Sequence, residues 1–231
     1  MQDWDIQFYW PNVPDCRFVH RLLYALVVQE VRYNTGGYPG QYRIIPINPN
    51  EEIAQKATSE RECTERLADI VNLYAGFNPS TTELSIRLAY TEPADPIHFN
   101  LGLVPADESG CRVRLTVVGN EVQTDDRFQS FVDLCAGVFE RVGFPYGSFR
   151  SEHDDWIPTT FASFLQERLR RVAFLSAELS DEFGRRKLLS APTERTVELA
   201  DEGIILVVTS GPVEGGDRIQ EVNEYLELIQ S

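Results

Sequence analysis

Three segments between residues 84 and 118 alternate apolar and polar side chains so regularly that a pleated sheet is the natural outcome. Leu84, Ile86, Leu88 and Tyr90 fall on every second position with Ser85 and Arg87 between them, as a strand with one buried face requires. Ile97, Phe99, Leu101 and Leu103 repeat the pattern, and so do Cys111, Val113, Leu115 and Val117. The connections carry Pro93 and Pro96, then Pro105, Asp107, Ser109 and Gly110. These are turn formers at lengths that join antiparallel neighbours. The spacing predicts an antiparallel meander over residues 84–118.

A helix is predicted directly after it. Thr124 can cap the helix, and Asp125 and Asp126 stand where the positive end of a helix dipole favours carboxylates. Phe128, Phe131, Val132, Cys135, Val138, Phe139 and Val142 form one apolar stripe that would cover a face of the sheet. Gly143 and Pro145 stop it. With the strands paired in order, the opposite sheet face carries Arg87, His98, Asn100, Arg112, Arg114 and Thr116. Two readings stay open for this basic cluster: a solvated face balanced by nearby carboxylates, or an anion site built on Arg87, His98, Arg112 and Arg114.

Around this platform the chain alternates helices and strands. Ile6, Phe8 and Trp10 predict a first strand, and Asp15 a cap for a helix whose Phe18, Val19, Leu22, Leu23, Leu26, Val27 and Val31 draw a buried face, with His20 a partly buried structural residue. Residues 42–47 predict a strand and residues 53–74 a helix with a charged outer side. Residues 143–158 are expected to be a loop in which Phe144, Tyr146, Phe149 and Trp156 surround Glu152, Asp154 and Asp155, either folded back or offered as a binding surface. Phe161 to Val172 predicts a helix, Ser180 to Leu189 a shorter one, residues 196–209 a hairpin, and Asp217 onward a last helix. The expected architecture is α+β, an antiparallel sheet with helices packed on it, in one domain spanning residues 1–231 with a soft boundary near 147–156.

Composition restricts function more than it names it. A net charge of −15 over 231 residues repels nucleic acid and suits a basic protein partner. No apolar run is long enough for a membrane span, and MQDWDIQFYW lacks the pattern of a secretory signal. The four cysteines, Cys16, Cys63, Cys111 and Cys135, are scattered among apolar patterns, as reduced thiols of a cytoplasmic protein would be. There is no GxSxG elbow, HExxH, paired CxxC, phosphate loop or dinucleotide fingerprint. His153 beside Asp154 and Asp155 lacks converging ligands, so no metal and no cofactor are expected. Cys16 and His20 share a helical spacing that could bring a thiol and an imidazole together, though core packing explains it more simply.

The stretch from Phe183 to Pro212, with Leu188, Leu189, Ala191, Pro192, Glu198, Leu199, Gly203, Ile204 and Leu206, resembles the end of bacterial polymorphic-toxin immunity proteins, especially the immunity protein 52 family. Trp156 followed by Thr159, Thr160 and Phe161 is similar to a tryptophan-containing segment of that group. The resemblance implies a non-enzymatic cytoplasmic protein that binds and neutralises a cognate toxin. The surface expected to carry the contact is acidic and aromatic, Tyr146, Glu152, Asp154, Asp155 and Trp156, facing a toxin with a basic surface. The alternative is a small-molecule or anion-binding domain on the basic sheet face.

Overall fold

The computed structural model describes residues 3–33, 41–46, 61–62, 72, 74, 76, 78–106, 110–151, 170–209 and 216–227. Alternation sets the first strand, β1 (Asp3–Trp10), in which Ile6 and Phe8 are fully buried. Asp15 then caps α1 (Cys16–Val28), its carboxylate accepting from the Phe18 N–H at 2.7 Å. β2 (Val31–Arg32), β3 (Gln41–Pro46) and β4 (Arg61–Glu62) precede the meander, which forms as the alternation predicts: β5 (Thr82–Tyr90), β6 (Ile97–Pro105) and β7 (Cys111–Val118). A short 3-10 turn (Gly119–Val122) leads into α2 (Asp125–Val142). The Thr124 hydroxyl accepts from the Arg127 N–H, and Gly143 ends the helix at φ 73°, a left-handed conformation that glycine adopts without a Cβ penalty.

The second half adds β8 (Tyr146–Ser151), β9 (Val172–Leu175), α3 (Ala177–Phe183), α4 (Arg185–Leu189), β10 (Arg195–Glu198), β11 (Ile204–Val207) and α5 (Gly216–Glu227). Among the described residues eleven strands form one antiparallel sheet, in the order β10-β11-β9-β8-β1-β7-β6-β5-β3-β4, with β2 on β5. The sheet is continuous through β8, which pairs with β1 on one side and β9 on the other.

One face of the sheet is covered by α1 and α2, which also pack on each other. Trp4, Ile6 and Phe8, the inward residues of β5 to β7, Phe149, and the apolar stripes of both helices share one core cluster. Phe131 meets Phe99 and Phe128 meets Phe149, both edge-on, at 5.7 and 5.0 Å between ring centroids. On the opposite face a second cluster joins Tyr9, Tyr146, Ala173, Leu175, Ile204 and Leu206 to Leu179 of α3 and Leu188 of α4. Ile204 to Val208 is therefore buried throughout, as its unbroken apolar run predicts.

Four local expectations are corrected. The loop expected at 143–158 is a strand over Tyr146–Ser151, at the middle of the sheet. Both faces of β8 are covered, so its sequence shows no alternation, and Gly147 is small because Phe8 crosses it: a Cβ there would lie 2.3 Å from Phe8 Cδ1. Val172 opens β9 instead of closing a helix; residues 161–169 lie outside the described residues. The helix expected from Ser180 is two, α3 capped by Ser176 and α4, divided at Gly184 with φ 91°. Ser180 itself is buried inside α3. Within the expected helix 53–74, Arg61 and Glu62 instead pair with Tyr42 and Gln41 of β3; most of that segment lies outside the described residues.

Candidate functional site

Register brings the predicted basic face together. Arg87 stands opposite Asn100, Asn100 opposite Thr116, and Thr116 opposite Asp5. One row along, Arg114 pairs with Gln7, and beyond it Arg112 with Tyr9. Because strand side chains alternate, Asp5, Gln7, Arg112, Arg114, Thr116, Asn100 and Arg87 all project to the face away from α1 and α2.

A cleft of about 570 Å³ opens on this face, and its polar lining includes Ser85, Arg87, His98, Asn100, Thr116 and Glu121. One end is braced by Arg127, whose guanidinium donates to the Asp95 carbonyl at 2.7 Å, the Glu121 carbonyl at 2.5 Å and the Glu121 carboxylate at 3.2 Å. Glu121 in turn accepts from the His98 backbone N–H at 3.3 Å and lies 3.6 Å from His98 Nδ1. Arg112 and Arg114 sit beside the cleft on β7. Arg114 is ion-paired with the buried Asp5. Burial first, and then Arg114, hold the Arg112 guanidinium below its ordinary range, with Glu83 and Asp5 opposing. At the centre of the face Asp5 Oδ1, Gln7 Oε1, Arg112 Nε and Arg114 Nε are buried without a hydrogen-bond partner among the described residues. Such atoms cost roughly 1–3 kcal/mol each relative to a satisfied group. Carboxylates were too common in the sequence to single out Asp5 and Glu121; the register is what places them here.

The expected acidic and aromatic surface is only partly visible. Glu152, Asp154, Asp155 and Trp156 lie outside the described residues. Tyr146 is placed, and it is no contact surface: it is 3% exposed, inside the second core cluster. The same covering of both strand faces that hid β8 from the sequence buries it.

His20 is exposed on α1, not partly buried, and Cys16 is exposed with it. Cys111 and Cys135 are buried, and burial pushes the Cys111 thiol from its ordinary 9.0 up to about 12. Because this thiol ionises later in the folded protein than in the unfolded chain, stability is retained below pH 9.0 and falls as pH rises toward about 12. A thiol-reactive probe at pH 8 is accordingly expected to modify Cys16 in the native protein, and Cys111 and Cys135 only after denaturation, as read by mass spectrometry of the labelled peptides. Among the described residues no group of three or more His, Cys, Asp or Glu side chains is placed to hold a metal ion, and no helix is long and apolar enough to cross a membrane.

No protein-family model matches the chain, and no curated protein matches it, so neither comparison supports the expected likeness to the immunity protein 52 family. Among solved structures, the chain is similar in fold to "Pseudomonas aeruginosa T6SS protein PA0821", at 12% sequence identity and a TM-score of 0.58, over 99% of this chain and 76% of that one.

Proposed function

We propose that this chain is an immunity protein of a type VI secretion context, which binds a cognate toxin in the cytoplasm and neutralises it by occupying its surface. The observation that carries this reading is the likeness of fold, over 99% of this chain, to a T6SS protein. The immunity-like segment is compatible with it: β10 and β11 pair as a hairpin, and Leu188 of α4 is buried in one cluster with Leu206 and Ile204, while Leu189 is exposed. A charge of −15 would draw a basic toxin from a distance, and the segment Glu152 to Trp156 is proposed to join the contact.

The rival reading of the sheet face as an anion site is the weaker one. Arg114 faces Asp5, His98 faces Glu121, and Arg127 already bridges Glu121 and Asp95. These pairings favour a face balanced by its own carboxylates.

Co-expression tests the proposal. Cells producing the toxin encoded beside this chain are expected to survive when the chain is present and to die without it, and the two purified proteins are expected to co-elute. A chain that neither co-elutes nor protects would sink the reading.

A further inference from the structure

We propose that the outward face of α1, with Trp10 at its foot, is a docking surface for an acidic, apolar-bearing segment of the cognate toxin. This rests on the toxin-binding reading and names the surface that does the binding.

The inward face of α1 is spent on the core through Phe18, Val19, Leu22, Leu23, Ala25 and Leu26. The outward positions are Arg17, His20, Arg21, Tyr24, Val27 and Val28, all exposed. Their spacing of three and four residues makes them one continuous strip. In so acidic a chain an ordinary outward face would mix both signs of charge, yet α1 contains no aspartate or glutamate at all. Arg17 and Arg21 form no ion pair among the described residues, unlike Arg114 and Arg127, which pair with Asp5 and Glu121.

Apolar exposure gathers on the same surface. Of the six large apolar side chains exposed among the described residues, four lie on α1 or the turn before it: Val13 at 37%, Tyr24 at 67%, Val27 at 42% and Val28 at 38%. At the foot of the strip a hollow of about 540 Å³ is lined by Trp10, Asn12, Val13, Asp15, Arg17, Phe18 and Arg21; its one carboxylate, Asp15, is engaged as the helix cap by the Phe18 N–H, so two arginines face the hollow against a single acid. Trp10 is stacked on Phe18 at 4.6 Å between ring centroids, and the Arg21 guanidinium lies 4.9 Å from the Trp10 centroid. A fixed tryptophan beside arginines and an exposed tyrosine is the side-chain set that dominates binding energy at protein interfaces.

Charge decides the occupant. A second copy docking through this face would set Arg17 and Arg21 against their own symmetry mates, because a two-fold interface uses the same patch on both subunits. An acidic segment of another protein meets them with the opposite sign, and its apolar side chains find the strip and the hollow. The overall negative charge steers the encounter and the small positive patch fixes its orientation, two roles that act over different distances.

The test uses the full chain and the toxin encoded beside it. Arg17→Glu/Arg21→Glu is compared with Arg186→Glu/Lys187→Glu, which makes the same change in net charge at exposed positions of α4. Unchanged thermal unfolding shows that both variants fold. The α1 variant is expected to weaken binding at least about tenfold, or ~1.4 kcal/mol, and the α4 variant much less. Tyr24→Ala is expected to weaken binding even at high salt, where screening removes the charge contribution. Equal losses in the two charge variants, or none in the α1 variant, would overturn the docking surface while leaving toxin binding intact. A wild-type chain that does not bind the toxin removes the parent reading, and this assignment with it.

Discussion

Replacing Phe8 with alanine is expected to lower stability by about 3–5 kcal/mol, the range for deleting a buried aromatic ring. The value should fall at the upper end because little around the site can collapse into the space. Phe8 is fully buried in the middle strand, its ring stacked on Phe144 at 4.8 Å, tilted against Phe139 at 5.7 Å and edge-on to Phe174 at 5.3 Å. The three partners come from α2, the loop after it and β9, so one truncation loosens both halves of the sheet. Against a typical domain stability of about 5–15 kcal/mol, this is a third of the total or more. It is read as a lower urea midpoint with an unchanged slope. Tyr24→Ala, on the exposed strip of α1, should move the same midpoint by less than about 0.5 kcal/mol, so the pair separates core from surface.

Gly147→Ala is expected to destabilise by about 1–3 kcal/mol, the cost of overpacking, although alanine is the smallest step glycine can take. A Cβ at this position would meet Phe8 Cδ1 at 2.3 Å, Cε1 at 2.7 Å and the Gln7 carbonyl oxygen at 3.2 Å. A flexible chain end could swing away; an aromatic ring held on three sides cannot. The cause is checked by a double-mutant cycle. In a Phe8→Leu background the cost of Gly147→Ala should shrink, because the branched side chain can leave room where the ring does not. A cost that is the same in both backgrounds would show that backbone preference, and not the crossing ring, is responsible.

These two residues also show what the sequence could and could not reveal. The meander, α2 and the β10–β11 hairpin were legible because each buries one face or one stripe, or carries its own turn, so that periodicity and punctuation reflect the final environment. β8 was illegible because neighbours cover both of its faces; Gly147 then looks like a turn residue when it is making way for Phe8. The split at Gly184 was hidden by a continuous helical pattern on either side. For the candidate site, the basic residues of the sheet face were readable from alternation, but their neutralising partners were not. Asp5 lies on a strand more than a hundred residues before Arg114, and no local signal links them. On α1 the sequence revealed the buried stripe as far as Leu26, but Val27, expected inside it, is exposed, and Val31 lies past the helix end in β2; the absence of carboxylates from the outer side mattered only once that side was seen to be open.

The place of β1 between β7 and β8 governs the order in which the chain can acquire its shape. The earliest described strand must wait for partners that are synthesised more than a hundred residues later. Until then it offers two unsatisfied edges, with Phe8 exposed between them. Pairings so distant along the chain close slowly and leave sticky intermediates during synthesis. Holding Asp3–Trp10 out of harm's way until Tyr146–Ser151 has emerged is therefore a task for chaperones at the ribosome, and supplying more of them should raise the yield of folded protein.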